Sequence, residues 1–116
     1  MTAILFPKNQ IELLTSGKKT ATLRSPNFKV NKNLSLKFIS NFKYGAFMDV
    51  PTFKIKSFNL NNLDDGMALK LGYNSPKEYL KNNDWGVDGN KRLLIEWDYK
   101  DALIKWDAVN KNIGGF

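Results

Sequence analysis

The chain has 116 residues, a net charge of +7, and neither cysteine nor histidine. Those two absences exclude disulfides, thiolate nucleophiles, Ser-His-Asp and Cys-His triads, and zinc sites built from His and Cys. The length fits one domain, residues 1–116, and a 42% hydrophobic content is too high for a disordered chain. No apolar run approaches the ~20 residues that span a bilayer. The first residues, Met1-Thr2-Ala3-Ile4-Leu5-Phe6-Pro7, lack the basic region of a signal peptide. The expectation is a cytoplasmic protein with no membrane partner.

The elements follow in chain order. Ile4-Leu5-Phe6 reads as a short strand, and Pro7 suits the first turn of a following helix. Ile11 and Leu14 share one face of that helix, and Thr15-Ser16-Gly17 ends it. Thr20 to Arg24 alternates as a strand, with Thr20, Thr22 and Arg24 on one side and Ala21 and Leu23 on the other. Ser25-Pro26-Asn27 is a turn, and Leu34 to Ile39 a second basic-half strand. Asn41 to Pro51 reads as a loop or short hairpin. Thr52 to Phe58 alternates, with Phe53, Ile55 and Ser57 opposite Lys54 and Lys56. Asp64-Asp65 favours a helix start and Gly72 its end. Ser75-Pro76-Lys77-Glu78 carries the cap, the first-position proline and the glutamate of a capping box. Leu93 to Tyr99 is a late strand, Ala102 to Trp106 another, and Gly114-Gly115 suggests a loose C-terminus. The sum is an α+β chain, which by itself does not choose between a barrel and an open sheet.

Charge is distributed unevenly. Residues 1–57 hold ten basic and two acidic residues, whereas residues 58–116 hold eight and nine. The +8 half creates a field that attracts phosphates. Within it, Ser16-Gly17-Lys18-Lys19-Thr20-Ala21-Thr22-Leu23-Arg24 concentrates the chemistry. Ammonium and guanidinium groups can meet a phosphate or polarise a carbonyl, and threonine hydroxyls donate or accept. Lys and Thr are also ordinary strand-edge residues, so this segment alone does not establish a site. It is not a Walker A loop, because the earlier glycine at four-residue spacing is missing. Tyr44 and Trp85, each followed by glycine, are candidates to stack on an unpaired base; Trp97, in an apolar strand, reads as core.

The pattern Ile-x-x-Leu-x-Ser-Gly-Lys-Lys-Thr-x-Thr-x-Arg from Ile11 to Arg24 resembles the signature of the ASCH family. The stretch Leu63 to Leu80, with its Leu-Gly-Tyr-Asn-Ser-Pro-Lys-Glu, is similar to a second segment of that family. The resemblance implies a small PUA-like mixed β-barrel with a few short helices. It also implies a cleft for RNA, a nucleotide or a modified nucleoside, formed here by Ser16, Gly17, Lys18, Lys19, Thr22 and Arg24 with Tyr44 and Trp85. No cofactor or metal is implied. One branch of the family removes the acyl group from N4-acetylcytidine with a lysine, a threonine and a glutamate. Lys19 and Thr22 match the first two, but the residue before Gly72 is Leu71, which cannot move a proton. Binding is therefore the leading expectation. A small hydrolase acting on N4-acetylcytidine or RNA through Lys19 and Thr22 is the second, and a viral or regulatory module that grips an acidic protein partner is the third.

Overall fold

A computed structural model describes residues 2–6, 10–30, 34–38, 46–83 and 89–106. Among the described residues, seven strands and three short α-helices run in the order β1 (Thr2–Phe6), α1 (Ile11–Thr15), β2 (Ala21–Arg24), β3 (Leu34–Phe38), β4 (Ala46–Val50), β5 (Phe53–Asn59), α2 (Asp65–Lys70), α3 (Pro76–Asn82), β6 (Lys91–Trp97) and β7 (Leu103–Trp106). The strands form two sheets, ordered β1-β3-β4-β7 and β2-β6-β5. Only β1 and β3 pair in parallel; the other neighbours are antiparallel. Among the described residues the two sheets meet by packing rather than through a continuous hydrogen-bond ladder, so this is a mixed α/β fold of two sheets and not a demonstrated closed barrel.

The alternation read in the sequence decides what each face of the smaller sheet meets. In its register Thr22 lies opposite Ile95 and Arg24 opposite Leu93, while Leu23 lies opposite Leu94. The Thr22 face packs on the larger sheet. Ile4 and Phe6 of β1, Val50 of β4, and Ile95 and Trp97 of β6 join Leu14 of α1 in that core. The Leu23 face is covered by the helices, where Ala21, Leu23 and Leu94 meet Leu71 and Tyr79. Covering β2 on both faces explains why it is almost wholly inside although it carries Thr22 and ends in Arg24, whereas β5 of the same sheet is mostly exposed.

The helix ends obey local chemistry. Asp64 caps α2 by accepting the Met67 N–H at 2.8 Å, and Gly72 leaves it at φ 94°. Ser75 caps α3 by accepting the Glu78 N–H at 3.1 Å, with Pro76 in the first turn. The capping box is only half made, because the Glu78 carboxylate takes the Asn74 side-chain amide at 3.4 Å instead of reaching back to the cap. Pro7 lies outside the described residues, and the first helix begins at Ile11 behind Gln10. The stretch read as loop or hairpin contains β4, which lies between β3 and β7. It pairs antiparallel with β3 just before it, Lys37 opposite Phe47, and with β7 far along the chain. Gly114-Gly115 lies outside the described residues. Among the described residues no helix is long and apolar enough to cross a membrane.

The turn from α1 to β2 fixes the start of the basic strand. Gly17 has φ 80°, and a Cβ there would sit 2.9 Å from the Tyr99 ring. The Tyr99 hydroxyl donates to the main-chain carbonyl of Thr15, holding the same turn from its other end. Gly17→Ala thus meets both the left-handed backbone penalty of about 1–2 kcal/mol and a wall of ring atoms. Urea unfolding should show a loss of at least that size.

Candidate functional site

Lys19 follows the Gly17 turn, and its backbone is pinned. Its N–H donates to the Leu13 carbonyl at 2.9 Å, and the next N–H, of Thr20, donates to the Lys70 carbonyl at 2.9 Å. This leaves the Lys19 side chain buried, only 4% exposed. Its ammonium donates to the main-chain carbonyl of Leu71 at 2.5 Å. Gly72, at φ 94°, lies beside this contact: a Cβ there would meet Leu13 Cδ1 at 3.2 Å and only touch Lys19 Cδ, at 3.6 Å.

Arg24 comes to the same place from the far end of β2. Its Cζ lies 5.3 Å from the centre of the Phe6 ring, and Lys19 Nζ lies 5.6 Å from the same ring. The negative face of an aromatic ring is a weak partner for either cation. Neither cation has a carboxylate: among the described residues the ion pairs are Lys56–Glu96 and Lys70–Glu96. The Arg24 Nε is buried and makes no hydrogen bond. Thr22 shares the Arg24 face of β2 and is also buried.

This arrangement shapes the protonation states. Burial, and then the nearby Arg24 charge, push Lys19 down from 10.5 to about 7. Burial lowers Arg24 from its ordinary value too, opposed by the neighbouring Tyr79. Tyr79 is pushed up to about 12, first by burial and then by Tyr73, whose ring meets it edge-on at 5.3 Å. At neutral pH the centre therefore offers a guanidinium, a lysine near its midpoint and a threonine hydroxyl.

The expected site residues divide into three sets. Lys19, Thr22 and Arg24 are buried or half-buried on or beside one strand, and two of them share the Phe6 ring. Ser16 and Gly17 shape the turn: the Ser16 hydroxyl donates to the Leu13 carbonyl at 3.3 Å, and Gly17 lies against Tyr99. Lys18 points to solvent. Tyr44 and Trp85 lie outside the described residues. Trp97 is 6% exposed and belongs to the core. Phe6, Gln10 and the Leu71 carbonyl were not legible as site members. The first is apolar, the second sits in a segment read only as helix, and the third is main chain.

Leu71 stands where the resemblance implies a glutamate. Its side chain is fully buried among Ala21, Leu23, Tyr79 and Leu94. A carboxylate there would lose its hydration in an apolar cluster. The chain instead offers Lys19 the carbonyl oxygen of that same residue. Among the described residues no three metal-ligating side chains gather.

With no histidine or cysteine in the chain, few groups titrate between pH 6 and 9. Below about pH 7 the folded and unfolded chains both carry a charged Lys19, and the folded state bears the full cost of burying it. Above pH 7 the folded chain holds a neutral amine while the unfolded chain still binds the proton. Stability thus rises with pH from about 7 towards 10.5, with a slope of up to about 1.4 kcal/mol per pH unit. Urea unfolding at a series of pH values should show this rise in the native chain and not in Lys19→Met. The two proteins differ only at position 19, so the difference isolates Lys19.

No protein-family model and no curated protein matches the chain. A solved structure does: ZmASCH from Zymomonas mobilis, crystallised as a serine-to-alanine mutant protein, superposes with a TM-score of 0.59 at 15% sequence identity. The match covers 83% of this chain and 66% of that one, so the chain spans just under two thirds of that protein's length. The mixed sheets, the short helices and the basic strand behind the first helix are thus arranged in an ASCH-like fold.

Proposed function

We propose that the chain is an ASCH-type binding domain, in which Lys19, Thr22 and Arg24 hold a phosphate or a carbonyl of RNA, a nucleotide or a modified nucleoside. In this reading residues 1–116 form one unit, and the two sheets are the halves of a PUA-like barrel. The observation that carries it is the pair of partly desolvated cations with no carboxylate beside them. Burying two like charges together is unfavourable unless something else compensates. Phe6 and one carbonyl offset only part of that cost. An incoming anion or polarised carbonyl would supply the acceptor that the Arg24 Nε lacks.

The pH dependence of binding separates the two kinds of guest. An anion prefers the charged Lys19, so its affinity falls as pH rises above about 7. A neutral nucleoside carbonyl is far less sensitive. Arg24→Ala removes a charge-assisted contact worth about 1.5–3 kcal/mol, a loss of roughly 10- to 100-fold. Titrating labelled single-stranded RNA and UMP against the native chain, Arg24→Ala and Lys19→Ala at low salt tests this. No binding to the native chain, or binding unchanged in both variants, would reject the cleft. Binding of acidic peptides in preference to both would favour a protein partner.

A second reading, a small hydrolase, draws on the same lysine. A buried amine near neutral pKa can act as a general base at pH 7, and Thr22 carries a hydroxyl on the same strand. Against it stands Leu71, whose carbonyl cannot exchange protons. Mass spectrometry of N4-acetylcytidine and short RNAs incubated with the protein should show no product. Product formation abolished by Lys19→Ala would turn the assignment to catalysis.

A further inference from the structure

The outer edge of the smaller sheet is a surface of its own, separate from Lys19 and Arg24. In the order β2-β6-β5, the strand β5 has a neighbour on one side only among the described residues. Four consecutive residues of it, Lys54 to Ser57, are exposed. Such an edge offers its main-chain groups to any strand that can lie beside it.

The register tells which groups those are. In an antiparallel ladder, hydrogen-bonded pairs alternate with pairs that exchange no bond. The Leu60 N–H donates to the Asn90 carbonyl at 2.8 Å, and the Asp98 N–H donates to the Thr52 carbonyl at 3.3 Å. Both pairs continue the β5–β6 register past the strand ends, so Lys54, Lys56 and Phe58 turn their main-chain groups towards β6. The Trp97 N–H agrees, since it turns away from β5 to the Thr20 carbonyl at 3.0 Å. The N–H and carbonyl groups of Phe53, Ile55, Ser57 and Asn59 therefore point outward, and none has a main-chain partner among the described residues.

Side chains decide what can pair there. Ile55 is 41% exposed, although Ile95 opposite it is fully buried. Lys54 and Lys56 lie on the other face, opposite Glu96 and Leu94. Glu96 is already shared by Lys56 and Lys70, each at 3.4 Å, so positive charge is in excess. Both β5 lysines border a groove of about 620 Å³, lined also by Trp97, which leaves room for an acidic side chain beside them. A second copy of β5 fits poorly. Paired antiparallel about Ile55, two copies would set Lys54 against Lys56 in both directions, and like charges directly opposite are destabilising. The complementary strand carries carboxylates opposite the lysines and an apolar residue opposite Ile55.

We propose that β5 accepts an extended segment of another protein as an added strand, with acidic residues at alternate positions flanking an apolar one. Main-chain bonds to Ile55 and Ser57 hold the segment, and Lys54 and Lys56 select it. The probe is a labelled peptide as long as β5, Ser-Glu-Val-Glu-Val-Glu-Ser. One control is the same peptide N-methylated at both valines, which keeps the charge and loses the N–H groups that face Ile55 and Ser57. The other control has lysine in place of each glutamate. All are titrated at low salt against the native chain, Lys54→Glu/Lys56→Glu, Ser57→Pro and Arg24→Ala, with circular dichroism to show folding. Ser57→Pro removes an outward N–H and spares the bonds to β6, as an edge strand tolerates. The acidic peptide should bind the native chain, and N-methylation or Ser57→Pro should each weaken it on the order of tenfold. The charge-reversed variant should prefer the basic peptide, and Arg24→Ala should bind like the native chain. If the N-methylated peptide binds as tightly as its parent, the lysines hold any polyanion and strand addition is overturned. If Arg24→Ala loses the peptide while Ser57→Pro keeps it, binding belongs to the Lys19–Arg24 site and the β5 edge is overturned. If sedimentation shows a native dimer that Ser57→Pro abolishes, the occupant is a second copy and the acidic partner is overturned. If the acidic peptide fails to bind the native chain, the added strand falls while the Lys19–Arg24 reading stands.

Discussion

The ammonium of Lys19 lies 2.5 Å from the main-chain carbonyl of Leu71, where little water reaches it. An amine in such a place loses most of its hydration and gains one acceptor, which does not compensate fully. Arg24 adds a second positive charge instead of relieving the first. The lysine is therefore held near neutrality by the fold. The Gly17 turn and the backbone bonds of Lys19 and Thr20 fix where its side chain starts.

The same contact ties separate parts of the chain together. Lys19 stands at the entry to β2, and Leu71 at the exit of α2. Thr20 repeats the connection through the Lys70 carbonyl. The helical insert is thereby fastened to the basic strand by main-chain acceptors as well as by the apolar cluster beneath it. Leu71 serves both, since its side chain fills the cluster while its carbonyl meets the lysine. Leu71 is thus a structural joint between the two.

Among the described residues, aromatic rings stand at the border between the core and the charged side chains. Phe6 belongs to the core between the sheets and presents its ring to Lys19 and Arg24. Trp97 belongs to the same core and lines the lysine-edged groove with its rim. Tyr99 packs against that core from outside and holds the α1–β2 turn. The aromatic residues thus do two jobs, closing the hydrophobic interior and forming the surfaces on which charged side chains lie.

Much of this was local and hence readable along the chain. Alternation set the faces of β2 but not the burial of β5, where Ile55 is exposed like the lysines beside it; Gly17 and Gly72 marked positions with φ of 80° and 94°, and Asp64 and Ser75 announced their helices. The Lys-Lys-Thr-x-Thr-x-Arg run identified the strand that carries the charge, because residue type and spacing are sequence properties. The pairing of β4 with β7 was not readable, since those strands lie far apart along the chain and meet only on folding. Nor was the depression of Lys19: burial and the proximity of Arg24 exist only once the chain has folded. The tertiary structure alone decided that Phe6 would stand beneath two cations and that the oxygen offered to Lys19 would be a backbone carbonyl, for desolvation and distance are properties of the assembled molecule.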